Sequence, residues 1–229
     1  NCKEYLAGGT VCLINGVLIT SLGVEDMLDF HRSNGGIATI SLWEVEDPTR
    51  FGVADFTEET GKIRRFQEKP TIEEAYSNLI NAGTYILEPE IFKLMPQGPH
   101  SIERDVYEDL AATGGLNGFP FEGWFVDAGT PTSFIEASQA CITGEKFSSG
   151  SSDGDSWFGE GSKSTGVVVA SSVGKNASVG NGTVIRDSVI LEGATIGPGC
   201  DLESCLIGMG AIIPGGSKLQ GQIVDHGTK

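Results

Sequence analysis

The sequence has 229 residues, of which 39% are hydrophobic, so it can bury one large core or two ordinary ones. Its formal net charge of −16 would repel nucleic-acid phosphates and anionic lipids, and its longest basic run is the pair Arg64-Arg65. Composition therefore argues against a nucleic-acid partner and against a membrane surface.

The first 143 residues alternate predicted strands with predicted helices. Apolar runs indicate the strands, and apolar residues at helical spacing indicate the helices, the first of which stops before Gly35. His31 falls on the apolar face of that helix, where we expect a packed core histidine. The predicted strands cover 11–14, 36–43, 51–56, 63–66, 82–87 and 124–126. The first predicted helix begins at Val24, and the others lie near 72–79, 89–95, 102–112 and 132–142. Such alternation is typical of an α/β layer architecture.

The composition changes between Gly144 and Gly166, where Gly and Ser make up 13 of 23 residues. This composition predicts a flexible linker. We therefore predict three parts: a domain over 1–143, a linker over 144–166 and a second domain over 167–229.

The second domain carries a repeat close to a hexapeptide. A small or modest residue stands four places after most of the repeating aliphatic residues, and Gly commonly follows the aliphatic residue. This pattern predicts a parallel β-helix, with three hexapeptides in each coil and about three coils in all. The aliphatic residues recur at steps of six with two steps of five, at Val167, Val173, Val179, Ile185, Leu191, Ile196, Leu202, Ile207, Ile213 and Leu219.

The five cysteines are odd in number and none has C-x-x-C spacing, which predicts reduced, mostly packing thiols rather than a zinc or redox site. No apolar run approaches the ~18 residues of a membrane span, and no signal-peptide pattern is present. We therefore expect a cytoplasmic protein. The chain opens at Asn1 and enters the apolar run at Val11 almost at once, so we also expect a segment upstream.

Four segments together resemble the sugar-phosphate nucleotidyltransferases, particularly the mannose-1-phosphate guanylyltransferase and glucose-1-phosphate nucleotidyltransferase branches. They are Phe66-Gln67-Glu68-Lys69-Pro70, Asn81-Ala82-Gly83-Thr84-Tyr85, Ser101-Ile102-Glu103-Arg104-Asp105 and Trp124-Phe125-Val126-Asp127-Ala128-Gly129-Thr130-Pro131. The resemblance implies a mixed-sheet, Rossmann-like α/β nucleotidyltransferase domain, N-terminally incomplete here, followed by a left-handed parallel β-helix. It implies transfer of a nucleotidyl group from an NTP to a sugar-1-phosphate, giving pyrophosphate and an NDP-sugar of the GDP-mannose or dTDP/UDP-glucose type.

The same resemblance assigns roles to five residues of the first domain. Lys69 is expected to contact the sugar phosphate as a catalytic cation, and Glu68 and Asn81 to hydrogen-bond sugar hydroxyls. The backbones of Gly52 and Gly83 are expected to approach the substrate closely. Reaction at a phosphate needs both phosphorylated substrates to be held in position, and it needs cations that neutralise the charge developing on the phosphate. These residue types suit that chemistry.

Each assignment has a structural alternative. Glu68-Lys69 is compatible with a solvated strand end, and Asn81 with a turn. The resemblance also implies that Asp127 is catalytic and binds Mg²⁺ together with an upstream acid. The alternative for Asp127 is a cap on the helix that follows it.

Two departures from the family pattern concern that metal site and the nucleotide. Where the family has Asn-Gly-Asp, this chain reads Asn15-Gly16-Val17, and valine offers no oxygen to Mg²⁺. The glycine-rich G-x-G-T-R-x-x-P signature is also absent. A catalytically silent homologue, acting as a regulatory or scaffolding subunit that binds sugar phosphate or nucleotide sugar, is therefore the alternative function. An acyltransferase is less favoured, since the repeats hold no histidine before His226. We expect a homo-oligomer, with contacts through the β-helix.

Overall fold

The computed structural model describes residues 3–6, 8–144 and 149–229. The chain divides into two compact units, Asn1–Phe125 and Val126–Lys229. Within the described residues, no helix is long and apolar enough to cross a membrane. The two units are described in turn.

The first unit holds seven strands, the start of an eighth, and short helices. Its strands are β1 (Val11–Ile14), β2 (Leu18–Thr20), β3 (Ala38–Glu44), β4 (Gly52–Thr57), β5 (Lys62–Glu68), β6 (Leu79–Leu87), β7 (Leu116–Pro120) and the first residue of β8 (Phe125–Asp127). Its helices are α1 (Lys3–Leu6), α2 (Val24–Asn34), α3 (Ile91–Leu94) and α4 (Glu108–Ala112), the last preceded by a π-helical turn, Glu103–Tyr107.

Six of these strands form one mixed sheet in the order β1-β6-β3-β7-β5-β4. Strands β3 and β7 run parallel, and the other neighbours are antiparallel. The strand β4 also pairs with β6 where Val53 faces Ile80, so the sheet curls back on itself. The mixed α/β sheet predicted from the sequence is therefore confirmed. Its core is a single apolar cluster that includes Ile40, Leu42, Ala54, Ile63, Phe66, Tyr85, Tyr107, Leu110 and Leu116.

Most predicted elements of this unit are present, and His31 is a buried core residue between Thr39 (2.7 Å) and Glu88 (3.1 Å). The helix predicted near 72–79 was wrong. Only one turn forms after Thr71, because the Ser77 hydroxyl accepts the Leu79 N–H and the chain enters β6. The short strands β2 and β7 were not predicted.

The second unit begins with the last two residues of β8, which a helix follows, α5 (Pro131–Thr143), and it continues as short strands. Thr130 is the N-cap of α5, and its hydroxyl and that of Ser133 form a reciprocal capping box. The strands are β9 (Ser151–Asp153), β10 (Ser156–Phe158), β11 (Lys163–Ser164), β12 (Val167–Val169), β13 (Ser172–Val173), β14 (Ser178–Val179), β15 (Val184–Arg186), β16 (Val189–Ile190), β17 (Thr195–Ile196), β18 (Asp201–Glu203), β19 (Leu206–Ile207), β20 (Ile212–Ile213), β21 (Lys218–Gln220) and β22 (Ile223–Val224).

Strands β10 to β22 stack in three parallel sheets, which confirms the parallel β-helix. Residues of β10 and β11 pair with residues 15 positions further on. From β12 onward, each residue pairs with the residue 17 positions further on, as Val173 does with Ile190 and Ile190 with Ile207. A coil thus consists of two steps of six and one of five. Aliphatic side chains from all three sheets fill the interior.

Two of the residues that were predicted to face the interior of the β-helix do not do so. Val167 is 57% exposed and Leu191 is only half-buried, whereas their neighbours Val168 and Ile190 pack in the interior. The reason is that the step of five falls at the same corner of every coil. A register counted in sixes therefore drifts by one residue there.

The predicted linker is also corrected over part of its length. Strand β10 pairs with β13, and β11 pairs with β14, so residues 156–164 belong to the first coil, and β9 pairs antiparallel to β10. Residues 145–148 of the predicted linker lie outside the described residues. Gly159 and Gly166 lie in this coil where the backbone of the next coil leaves no room for a Cβ, which accounts for glycine at both positions.

Four cysteines lie in the described residues and form no disulfide. Cys200 and Cys205 are buried in the β-helix as packing thiols, Cys141 is half-buried, and Cys12 is exposed on β1. The prediction for Cys2 lies outside the described residues.

Small polar side chains at the corners join successive coils. The buried Thr183 hydroxyl donates to the Gly197 carbonyl at 2.7 Å and accepts the Cys200 N–H at 3.1 Å. One hydroxyl thus satisfies two backbone groups that the turn of the chain would otherwise leave buried without partners.

We expect Thr183→Val, which keeps the side-chain volume, to lower the free energy of unfolding by about 1–3 kcal/mol because both backbone groups lose this partner. Denaturant unfolding would measure the change. Thr195→Val is the matched control: Thr195 is exposed on the same β-helix, and its replacement should change stability by about 0.5 kcal/mol or less. Equal effects of the two variants would contradict the role of the Thr183 hydroxyl.

Candidate functional site

One edge of the first unit's sheet collects the predicted site residues of that unit. Gly52 begins β4 directly opposite Glu68 at the end of β5. The pairing of Val53 with Ile80 then brings the start of β4 beside Asn81 of β6. The ends of three strands, β4, β5 and β6, therefore meet at this edge.

Gly52 and Gly83 line this edge with bare backbone. A Cβ at Gly52 would clash with the Phe66 ring and lie 2.8 Å from Glu68 Oε2. Gly83 has a φ of 69°, and a Cβ there would lie 2.7 Å from Asn15 Nδ2. Glycine is therefore required at Gly83 both by conformation and by space.

Glu68 and Lys69 stand side by side in contrasting environments. The Glu68 side chain is only 15% exposed, the Lys69 side chain is 58% exposed, and Lys69 Nζ lies 3.8 Å from Glu68 Oε1. Burial raises the pKa of Glu68, as does the nearby Glu103 carboxylate, while the positive charge of Lys69 opposes the shift. The carboxyl is thus held in a site that disfavours its charge.

The backbone of Lys69 is itself unusual, with a φ of 51°. Left-handed backbone costs a residue with a Cβ roughly 1–2 kcal/mol. Its N–H donates to the Phe51 carbonyl at 2.9 Å, and the buried Pro70 follows it, so the surroundings hold the strained conformation in place. Strain of this kind concentrates at functional positions.

Asn81 is held at both ends of its amide. Its Nδ2 donates to the Tyr85 hydroxyl at 3.0 Å, and its Oδ1 accepts the Gly83 N–H at 2.9 Å. Asn81 lies within β6 rather than in a turn, so the turn alternative is wrong. Likewise, a half-buried Glu68 does not match a fully solvated strand end.

Tyr85, Glu103 and Asn15 were not assigned roles from the sequence. Tyr85 is buried, and burial raises its pKa to about 12 with a further contribution from the Glu103 charge. The Asn15 side chain opposes this rise in the pKa of Tyr85. The signal was present, since all three lie in segments that carry the family resemblance, but only the fold shows that they meet.

Asp127, the last residue of β8, belongs to the second unit. Its Oδ1 accepts the N–H of Gly129 at 3.1 Å. Because Thr130 caps α5, Asp127 is not needed as the helix cap, and that alternative is wrong. The Asp127 carboxylate is half-buried and keeps oxygen lone pairs for another partner.

Comparison with known proteins identifies the family. The profile described as "Nucleotidyl transferase" matches residues 3–144, and the profile described as "GlmU-like, C-terminal hexapeptide" matches residues 140–223. The chain therefore belongs to the nucleotidyl transferase family, with a hexapeptide-repeat region after its transferase part.

Individual relatives narrow the class of protein to which this chain is similar. Mannose-1-phosphate guanylyltransferase 1 of Arabidopsis thaliana is 31% identical over 90% of this chain and 55% of its own length. The mannose-1-phosphate guanylyltransferase catalytic subunit beta of Dictyostelium discoideum is 37% identical over 54% of this chain and 34% of its own length. The chain thus spans about half or less of these relatives.

A solved structure supports the fold. It comes from Bacillus anthracis, is assigned as a glucose-1-phosphate thymidylyltransferase and contains a sucrose. It is 26% identical, with a TM-score of 0.52 over 59% of this chain and 56% of that chain.

The residues present do not complete the two-carboxylate metal site that the family resemblance implies. Val17 presents a half-exposed aliphatic side chain next to Asn15 and Gly16, so that segment supplies no carboxylate. Across 3–6, 8–144 and 149–229, no group of three or more His, Cys, Asp or Glu side chains is placed to hold a metal ion. The family generally uses a divalent metal, and Asp127 is the predicted ligand that this chain retains.

The raised pKa of Glu68 gives a pH test of its environment. A carboxyl whose folded pKa is raised contributes stability below its usual value near 4.5, and that contribution is lost as pH rises through the folded pKa. We therefore expect Glu68→Gln, which removes the charge, to raise Tm at pH 7 and to have a smaller effect at pH 4. Thermal unfolding at both pH values would measure this, with the exposed Glu73→Gln as control. A Tm gain that is equal at both pH values would contradict the assignment.

Proposed function

We propose that this protein transfers a nucleotidyl group from an NTP to a sugar-1-phosphate, releasing pyrophosphate and forming an NDP-sugar. The observation that carries the proposal is the meeting of Glu68, Lys69 and Asn81 at one sheet edge, beside the bare backbones of Gly52 and Gly83. The activities of the similar proteins support GDP-mannose or a dTDP/UDP-glucose type of product.

Each side chain has a distinct task in this proposal. The exposed ammonium of Lys69 binds the sugar phosphate as a point charge, and the Glu68 carboxylate and the Asn81 amide hydrogen-bond sugar hydroxyls. A phosphate oxygen of the sugar-1-phosphate then attacks the α-phosphorus of the NTP, and the bond to the pyrophosphate oxygen breaks. The protein contributes orientation and charge neutralisation rather than covalent chemistry.

The local charges suit a ligand with both hydroxyls and phosphate. Glu68 and Glu103 place two acids near the half-buried part of the site, where they accept hydrogen bonds from hydroxyl groups. Lys69 and Arg104 are cations whose charges lower the pKa of Glu68, and both side chains are exposed. A neutral sugar body with an anionic end matches that distribution.

Mg²⁺ is the proposed metal, and Asp127 is its proposed ligand in the second unit. When bound, the ion would neutralise phosphate charge, and hard carboxylate oxygens are the ligands that it prefers. Because Val17 supplies no oxygen, no catalytic step is derived through the metal here. The names of the relatives favour a transferase over the silent regulatory subunit.

We also propose a cytoplasmic homo-oligomer that assembles through the β-helix. Exposed apolar side chains lie in or near its last coil, at Met209, Ile212 and Ile223. Exposed apolar patches mark surfaces that contact other proteins.

We expect Lys69→Ala to weaken the binding of mannose-1-phosphate and glucose-1-phosphate by roughly tenfold or more, the loss of a hydrogen bond to a charged group. Lys69→Gly should weaken binding equally and, by relieving the left-handed backbone, raise the free energy of unfolding by about 1 kcal/mol relative to Lys69→Ala. Titration calorimetry and denaturant unfolding would measure the two effects.

Lys93→Ala is the control for that pair, since Lys93 is an exposed lysine on α3. It should leave both affinities unchanged. Retention of wild-type affinity by Lys69→Ala for both sugar phosphates would remove Lys69 from the site.

A further inference from the structure

The orientation of the Asn81 amide depends on Tyr85, a buried residue that does not itself reach the candidate site at the sheet edge. Its Oδ1 is fixed by the Gly83 N–H, which can only donate, so its Nδ2 faces the Tyr85 hydroxyl. The torsion that turns an asparagine amide is broad and soft. A single anchor would leave the amide free to turn about it, whereas two anchors fix its plane.

Tyr85 is a rigid anchor. It lies in the same strand four residues after Asn81, is 1% exposed, and packs its ring 5.6 Å from that of Tyr107. The side chain of Asn15, which follows β1, lies close enough to the Tyr85 hydroxyl to oppose the rise in its pKa. The Asn15 N–H in turn donates to the Gly83 carbonyl at 2.9 Å. Tyr85 and the segment at Asn15 therefore both contact β6 close to Asn81.

The protonation state of Tyr85 does not vary in the physiological range. Burial raises its pKa to about 12, so the phenol stays neutral and continues to accept from Asn81. The contact is therefore not a pH switch.

The two anchors also define what Asn81 can offer to a ligand. An asparagine amide has two N–H donors and two oxygen lone pairs, and each anchor uses one of them. One donor and one acceptor remain, in a fixed plane. A hydroxyl group can accept and donate at once, whereas a carbonyl only accepts and an ammonium only donates.

We propose that Tyr85 is a positioning residue that locks the Asn81 amide so that it presents one donor and one acceptor to a single sugar hydroxyl. This inference rests on the proposed function, and it adds how the site selects a hydroxyl-bearing ligand and which residue sets that selection.

A double-mutant cycle on the full chain tests the coupling. Mannose-1-phosphate and glucose-1-phosphate are titrated by calorimetry into wild type, Tyr85→Phe, Asn81→Ala and the double variant. Tyr85→Phe should weaken binding roughly 2- to 12-fold in the presence of Asn81, the value of one hydrogen bond. It should have no further effect in the Asn81→Ala background, because its only route to the sugar has been removed.

Tyr107→Phe is the matched control. Its hydroxyl is buried in the same aromatic cluster and has no hydrogen-bond partner among the residues that the structure describes. This variant should leave the affinities unchanged in both backgrounds. An equal loss from Tyr85→Phe with and without Asn81, or no loss at all, would overturn the positioning role.

A second readout needs no ligand. In ¹H–¹⁵N spectra, the Asn81 side-chain amide, assigned by its disappearance in Asn81→Ala, should shift in Tyr85→Phe and not in Tyr107→Phe. An unmoved Asn81 amide signal in Tyr85→Phe would overturn the lock itself. By contrast, a shifted signal with unchanged sugar-phosphate affinity in Asn81→Ala would keep the lock and refute the place of Asn81 in the proposed function.

Discussion

The contact between β4 and β6, where Val53 faces Ile80, is the constraint on which the candidate site depends. Without it, β4 would be a free edge strand at one end of the sheet, remote from β6. With it, the sheet curls, and the ends of three strands share one edge. The apolar cluster inside the curl supplies the free energy that keeps the polar edge in place, since burial of apolar surface is the main favourable contribution to folding.

The polar edge reduces stability in several respects. Glu68 is a half-buried carboxyl near a second acid, and Lys69 adopts a left-handed backbone conformation. Gly83 has no side chain, and a Cβ there would clash with Asn15. Features that each cost free energy and lie together are characteristic of sites selected for binding rather than for stability. The surrounding core, by contrast, follows ordinary packing rules.

The sequence predicted the architecture well because both units repeat simple periods. Strand and helix alternation identified the α/β unit, and the aliphatic recurrence identified the β-helix. It did not predict which of two adjacent aliphatic residues faces inward at Val167 and Leu191, since both fit the repeat and only the stacked coils show at which corner each step of five falls. For the site, motif residues identified Glu68, Lys69 and Asn81, whereas the role of Tyr85 depends on hydrogen bonds that only the folded strand defines.

The 17-residue coil limits how this protein can change in length. Among the coils that repeat every 17 residues, an insertion of one or two residues within a strand would move every later inward side chain off its stack, whereas an addition of one complete coil would preserve every register. Length variation in the β-helix should therefore be quantised, in whole coils or in loops that leave from a corner and return to it. Gene comparisons across species would then show gaps in multiples of one coil rather than a continuous spread of lengths.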